Sequence, residues 1–271
     1  TQWELNKNTG SLINTPATTG ASTLAVNFSG INTLWGSDGK DTYNLVEVPE
    51  FADIDGRGGE NLVQLAAQDA VLDLTQGFAV QGVKNVTGVS GSGANASLTL
   101  VANSNATWTL TDKNTGAIKV TISGQEKSIA FDNFINLTGG SNNDAFILDA
   151  KGYVTGAING GGTSNGGQNS LTAWSGENAN WILNTNSSVA ASTSGFKQSF
   201  SGITLLNGSE KVDTFDVQSA QTLSINAGLG DDTLILRSNG RLNGQFDGGL
   251  DANTVRTIDG ANSWQLTSAT S

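Results

Sequence analysis

Short runs of alternating apolar and polar residues, closed off by Gly, Asn and Asp, set the rhythm of this chain. Thr42-Tyr43-Asn44-Leu45 and Thr214-Phe215-Asp216-Val217 place an apolar side chain at every second position, and Thr233-Leu234-Ile235-Leu236 is apolar almost throughout. β-Branched and aromatic residues in a period of two predict strands with one packed face and one wet face. The Gly, Asn and Asp between them supply the backbone conformations that corners need.

The strands belong to a repeat. Three segments align from Phe28-Ser29-Gly30-Ile31, Phe131-Asp132-Asn133-Phe134 and Phe200-Ser201-Gly202-Ile203. Each continues to a Gly (Gly36, Gly139, Gly208), an Asp (Asp41, Asp144, Asp213) and then an aromatic and an aliphatic residue: Tyr43 and Leu45, Phe146 and Leu148, Phe215 and Val217. Val80-Gln81-Gly82-Val83 with Gly88 is a degenerate copy that has Gly93 in place of the acid. A second block, Ile54-Asp55-Gly56 leading to Asn61, recurs at Ile158-Asn159-Gly160, Ile225-Asn226-Ala227 and Phe246-Asp247-Gly248. A third mark, Trp-x-Leu, stands at Trp3, Trp108, Trp181 and Trp264. These marks divide the chain into units of about 3–107 (with the degenerate copy near 71–107), 108–180 and 181–263, and the chain reads as a slice of a longer array.

Within the units a finer ladder pairs a Gly or Ala with an Asp or Asn five positions later: Gly36/Asp41, Gly56/Asn61, Gly208/Asp213, Ala227/Asp232 and Gly248/Asn253. Neighbouring steps are about 20 residues apart, too short for helical solenoid repeats and the length of one turn of a parallel β-helix. The expected fold is therefore all-β: a right-handed parallel β-helix (β-solenoid) of about 20 residues per coil, continuous over 1–271, with Phe, Leu and Ile ladders filling a narrow core. A β-sandwich of hairpins is the competing fold, and the regular spacing weighs against it.

Composition narrows the function. Lys and Arg number 13 against 24 Asp and Glu, a net charge of −11, so no basic stripe exists for nucleic acid and an anionic membrane would repel the chain. No apolar run approaches a membrane span of roughly 18 residues. There is no Cys, which excludes disulfides and thiol chemistry, and no His, which removes the usual general base. Gly is abundant at 35 residues and charged residues make up only 14%, which fits neither disorder nor a helical bundle.

At the Gly-to-Asp blocks the chain resembles the repeats-in-toxin family, whose calcium-binding nonapeptide is G-G-x-G-x-D-x-U-x with U a large apolar residue. Residues 227–235, 139–147 and 36–44 each depart from that pattern at one position; the copies at Gly56, Gly208 and Gly248 depart at two or more. In that family the nonapeptides follow each other directly, whereas here they come once per coil. The wider unit resembles the β-strand repeat arrays of giant bacterial surface adhesins and filamentous haemagglutinin-like proteins. The resemblance implies a secreted, extracellular fibre at a bacterial cell surface or in a biofilm matrix.

Calcium is the sharpest chemical expectation. A hard cation wants about six to eight oxygens. Stacked turns would bring Asp213, Asp232 and Asn253 into one column with Asp231, Asp247 and Asp251 nearby, a second column would hold Asp38, Asp41 and Asp55, and Asp144 sits in a nonapeptide-like block. Against this, Asp and Asn also close turns by bonding their own backbone, and the frequent Asn favours that reading. The Trp-x-Leu tryptophans are expected to pack over the core, leaving Trp35 and Trp174 as candidates for exposed contact. Catalysis finds little support: four Arg are present, and only Arg237 and Arg241 flank a turn near the acidic column where a polysaccharide lyase could work. The chain is therefore read as a structural or adhesive segment rather than an enzyme. It would associate end to end with its own kind and contact cell-surface glycans or proteins. A carbohydrate-binding or lyase-type β-helix is the alternative.

Overall fold

The alternation in the sequence becomes pleat in the computed structural model, which describes residues 2–6, 9–14, 24–31, 33–46, 53–59, 61–65, 71–73, 79–81, 83–87, 97–99, 105–122, 125–149, 151–162, 167–185 and 188–258. In Thr42–Leu45 and Thr214–Val217 the side chains at Tyr43, Leu45, Phe215 and Val217 are buried while their neighbours are half-exposed. The molecule is all-β. Among the described residues there is no helix, and the strands form sheets of fourteen, ten, three and two strands. Trp264, Gly88 and Gly93 lie outside the described residues.

Equivalent residues of successive blocks pair side by side in parallel. Phe215 pairs with Leu234, and Leu234 with Val255. Leu206 pairs with Ile225, and Ile225 with Phe246. In the first unit Tyr43 pairs with Val63, and Leu34 with Ile54 and then Val80. A sandwich of hairpins would have joined neighbouring strands antiparallel through short turns. Here the inward apolar residue of each block lies over its counterpart in the next, so a slip of one residue would turn a whole column outward.

Among the described residues, antiparallel pairing is confined to three meanders that the repeat marks do not announce. Each runs from a Trp-x-Leu strand, through a middle strand, to the strand carrying the Phe of the Phe-x-x-Ile/Phe mark. The first comprises Gln2–Leu5, Thr9–Asn14 and Leu24–Ser29; the second Ala106–Asp112, Thr115–Ile122 and Gln125–Asp132; the third Ala179–Leu183, Ser188–Ser192 and Lys197–Ser201. The first strand of each lies parallel on the aromatic strand that follows it, matching Trp3 with Tyr43, Trp108 with Phe146 and Trp181 with Phe215. The last strand of the second and third meanders lies parallel on an earlier strand, matching Phe131 with Val86 and Phe200 with Ile158. A meander is thus spliced into a parallel ladder without interrupting its register.

The ring contacts repeat as faithfully as the strands. Trp3 stacks on Tyr43, Trp108 on Phe146 and Trp181 on Phe215, with centroids 5.9, 5.5 and 5.7 Å apart and planes within 13°. Phe28, Phe131 and Phe200 meet the same tryptophans edge-on. Trp108, Trp181, Phe146 and Phe215 are fully buried, so each trio is a knot of core area with offset and edge geometry that adds to simple burial. Phe131 lies across Gly116 on the neighbouring strand, where a Cβ would meet the ring at 2.7 Å. Only glycine leaves room for the ring there.

Candidate functional site

The predicted acids divide into two sets because the chain turns at each of them. Asp41, Asp144, Asp213 and Asp232 point inward and are buried, as are Asn61 and Asn169 at equivalent positions. They form a ladder. The backbone N–H of Asp41 donates to Asn61 Oδ1 (2.9 Å) across 20 residues, and that of Asp144 to Asn169 Oδ1 (3.0 Å). Asp213 N–H donates to Asp232 Oδ1 (2.8 Å) across 19 residues, and Asp232 N–H to Asn253 Oδ1 (2.9 Å) across 21. The second oxygen of each leading Asp closes its own loop. Asp41 Oδ2 accepts from Ser37 N (2.7 Å), Asp144 Oδ2 from Gly140 N (2.8 Å) and Asp213 Oδ2 from Ser209 N. Where the residue is Asn, Nδ2 instead donates to a loop carbonyl: Asn61 to Gly56 O, Asn169 to Gly160 O and Asn253 to Leu250 O. The ladder staples each corner to the next, using short side chains whose oxygens reach nearby backbone. The Gly that starts each loop is required by the same contact: a Cβ on Gly36 or Gly139 would sit 2.7 or 2.6 Å from the Asp41 or Asp144 carboxylate.

Asp38, Asp231, Asp247 and Asp251 point outward and are exposed. Asp231 accepts from Ala252 N (2.9 Å) and Asp251 from Gly230 N (3.0 Å), a reciprocal pair of clasps between adjacent turns. Asp247 accepts from Gly249 N (2.9 Å). The structure therefore brings Asp213, Asp232 and Asn253 into the expected column but places Asp231, Asp247 and Asp251 on the other side of the chain. Among the described residues no three carboxylates gather as a metal cage.

The inward ladder carries unspent polar atoms. Asp232 Oδ2 is buried without a hydrogen-bond partner, and so are the indole N–H groups of Trp3 and Trp181 and the Tyr43 hydroxyl, whereas the Trp108 indole and the Ala106 amide face the Asp144 carboxylate. Burial pushes the Asp144 carboxyl up to about 6 against the pull of the Gly140 amide. Burial also raises Asp232 to about 6, with the Asp213, Asp231 and Asp251 charges adding to the rise. Asp213 is raised by burial, and the amides of Ser209 and Ala179 hold it back. The Tyr43 hydroxyl is pushed up by burial and by Asp41 and Asp55.

Of the other candidates, Trp35 is 62% exposed, as expected, with the Arg57 guanidinium 4.6 Å above its ring. Trp174 contradicts the expectation of exposure. It is fully buried: its indole N–H donates to Gly152 O at 2.7 Å, and its ring lies 6.4 Å from that of Phe196, between the second and third strands of the third meander. Arg57 has φ of 52°, whereas the corresponding position in later blocks holds Gly161, Gly228 and Gly249 with φ of 78°, 103° and 74°. Arg237 makes a two-pronged bond to Asp216 (2.8 and 2.9 Å), which holds the Asp216 carboxyl below its ordinary range. Sequence reasoning missed Gln198, which is buried and accepts from Val154 N at 2.8 Å, since nothing in its local pattern marks it as inward. No protein-family model and no curated protein matches the chain.

Proposed function

We propose that the chain is a structural segment of a secreted bacterial repeat protein, wound as a right-handed parallel β-solenoid of about 20 residues per coil and serving as a stalk or adhesive fibre at the cell surface. One observation carries this reading: a parallel, in-register column of equivalent side chains, with the Asp/Asn ladder on one corner and the tryptophan–aromatic stack at each meander. Nearly every conspicuous side chain in the repeat is spent on holding one block to the next. A scaffold that invests its polar and aromatic residues this way is suited to bearing length and load. Small-angle scattering of the purified chain tests the shape. A rod-like profile is expected, with a cross-section that stays constant when a unit is duplicated; a globular profile overturns the reading.

Trp35 and Arg57 favour a second role on the same scaffold, contact with glycans. In other blocks the position of Trp35 is occupied by Thr138 or Asn207, and that of Arg57 by glycine. A strained arginine held over an exposed indole is an outlier that the scaffold itself does not need. Glycan-array binding that Trp35→Ala abolishes would support this role, and an array with no signal removes it.

A further inference from the structure

The last residues of the short corner strands pair into rows. In two of these rows every member is a small polar residue: Thr99, Thr138, Asn159 and Ser201 in one, Thr172, Asn207, Asn226 and Asp247 in the other. The corresponding row of the first unit is Trp35, Asp55 and Gln81. Thr33–Trp35 alternates exposed, buried, exposed, so the pleat turns Leu34 inward and Trp35 outward. The position faces outward between two paired strands as well, since Asn159 and Asn226 have a strand on either side and are exposed.

The residue two places after Asp55 is equally out of pattern. Asp55 Oδ1 accepts from the Arg57 N–H at 2.9 Å, the same turn in which Asn159 accepts from Gly161 N at 3.0 Å and Asp247 from Gly249 N at 2.9 Å. The turn needs a left-handed backbone, which Gly161 and Gly249 adopt freely and Arg57, at φ of 52°, adopts under strain. The Arg57 guanidinium lies 4.6 Å above the Trp35 ring. Among the described residues nothing accepts a hydrogen bond from that guanidinium, and nothing donates to the second Asp55 oxygen. Arg57 covers one face of the indole, and with Trp35 62% exposed the opposite face is open.

We propose that Trp35, Asp55 and Arg57 form a subsite for a neutral sugar, one hexose of an oligosaccharide laid along their row. The inference rests on the glycan contact proposed above and gives it a ligand class. The open indole face takes the apolar C–H face of a pyranose ring. Arg57 holds the indole from behind, which lessens the ordering that binding requires. The free Asp55 oxygen accepts from a sugar hydroxyl, and the guanidinium donates to hydroxyl oxygens at the rim of the indole. Paired strands step by about 4.8 Å, so Trp35 and Asp55 lie within reach of a single sugar. The charges around Arg57 disfavour an acidic sugar. Asp55 and the exposed Asp38 flank it, its neighbour Gly58 lies against the Asp38 backbone, and the chain as a whole carries −11.

The residues that other units use at these positions supply variants that keep the fold. The test is calorimetric titration of the purified chain with cellohexaose, laminarihexaose and mannohexaose, and with oligogalacturonate as the acidic probe. A neutral oligomer is expected to bind, with an affinity that added sodium chloride leaves unchanged. Asp55→Asn introduces the residue found at Asn159, keeps the acceptor of the turn and removes the charged one; binding about tenfold weaker is expected. Arg57→Gly introduces the residue found at Gly161 and Gly249 and relieves the backbone. It is expected to melt above wild type while binding about tenfold more weakly. If no oligomer binds, or if Trp35→Ala binds as wild type does, the glycan contact itself falls. If binding needs Trp35 but is confined to oligogalacturonate, weakens with salt, or is undiminished in Asp55→Asn and Arg57→Gly, the neutral-sugar subsite falls alone. Melting of Arg57→Gly below wild type would assign the arginine to the fold and likewise overturn the subsite.

Discussion

Asp213 and Asp232 occupy the same corner in adjacent blocks and nonetheless have opposite needs. Asp213 uses both oxygens: Oδ1 accepts from Ala179 N at 2.6 Å and Ser209 Oγ at 3.0 Å, and Oδ2 accepts from Ser209 N. An amide there would turn its NH₂ against a backbone N–H in either orientation, so Asp213→Asn should cost about 1–3 kcal/mol in urea denaturation. Asp232 spends Oδ1 on Asp213 N and leaves Oδ2 buried and unpartnered. Asn61 and Asn253 fill that same slot with an NH₂ group bonded to a loop carbonyl. Asp232→Asn should therefore stabilise the chain at neutral pH by about 1 kcal/mol. The linkage has a definite sign. Asp144 and Asp232 hold their protons up to about pH 6 in the folded state but release them near the ordinary value of 3.8 when unfolded. The native state binds more protons between those values, so stability falls as pH rises from about 4 through about 6 and stays lower above. Thermal melts across that window should show the decline, and Asp232→Asn should flatten part of it; a stability that rises through the window would contradict the burial of these carboxyls.

At the scale of the element, the meanders carry the core's largest side chains. Trp108 is sealed between Phe146 and Phe131, and truncating it leaves a cavity that paired strands cannot collapse into. Trp108→Ala should cost about 3–5 kcal/mol, measured as a shift of the denaturation midpoint. A loss under about 1 kcal/mol would mean the stack is not packed as described. These elements also mark the limit of what the sequence disclosed. The strands at Tyr43, Phe146, Phe215 and Leu234 were legible because inward and outward residues alternate and because equivalent blocks recur about every 20 residues. The inward ladder was half legible: its members were identified, but a column of carboxylates reads the same whether it faces a cation or a loop amide. Only coordinates separate Asp232 from its neighbour Asp231 across the chain. The meanders were not legible. Trp-x-Leu and Phe-x-x-Ile/Phe register as separate marks, and the middle strand between them, such as Thr115–Ile122, differs in length and composition from unit to unit. The cross-strand match that makes Gly116 oppose Phe131 is a long-range pairing that no local pattern encodes.

At the scale of the whole molecule, the net charge of −11 sets how cations act on the chain. A bound ion stabilises by its affinity for the folded state and depends on its identity, whereas screening depends on ionic strength alone. The exposed acids Asp38, Asp231, Asp247 and Asp251 are spread along the surface, and three of them already clasp backbone amides. Asp231 and Asp251 each spend one carboxylate oxygen on these clasps, and among the described residues no three acids gather to supply the about six oxygens that one calcium ion needs. Millimolar calcium, magnesium and sodium chloride adjusted to one ionic strength should therefore shift the melting temperature equally. A rise of several degrees in calcium alone would show that the outward acids close on the ion after all.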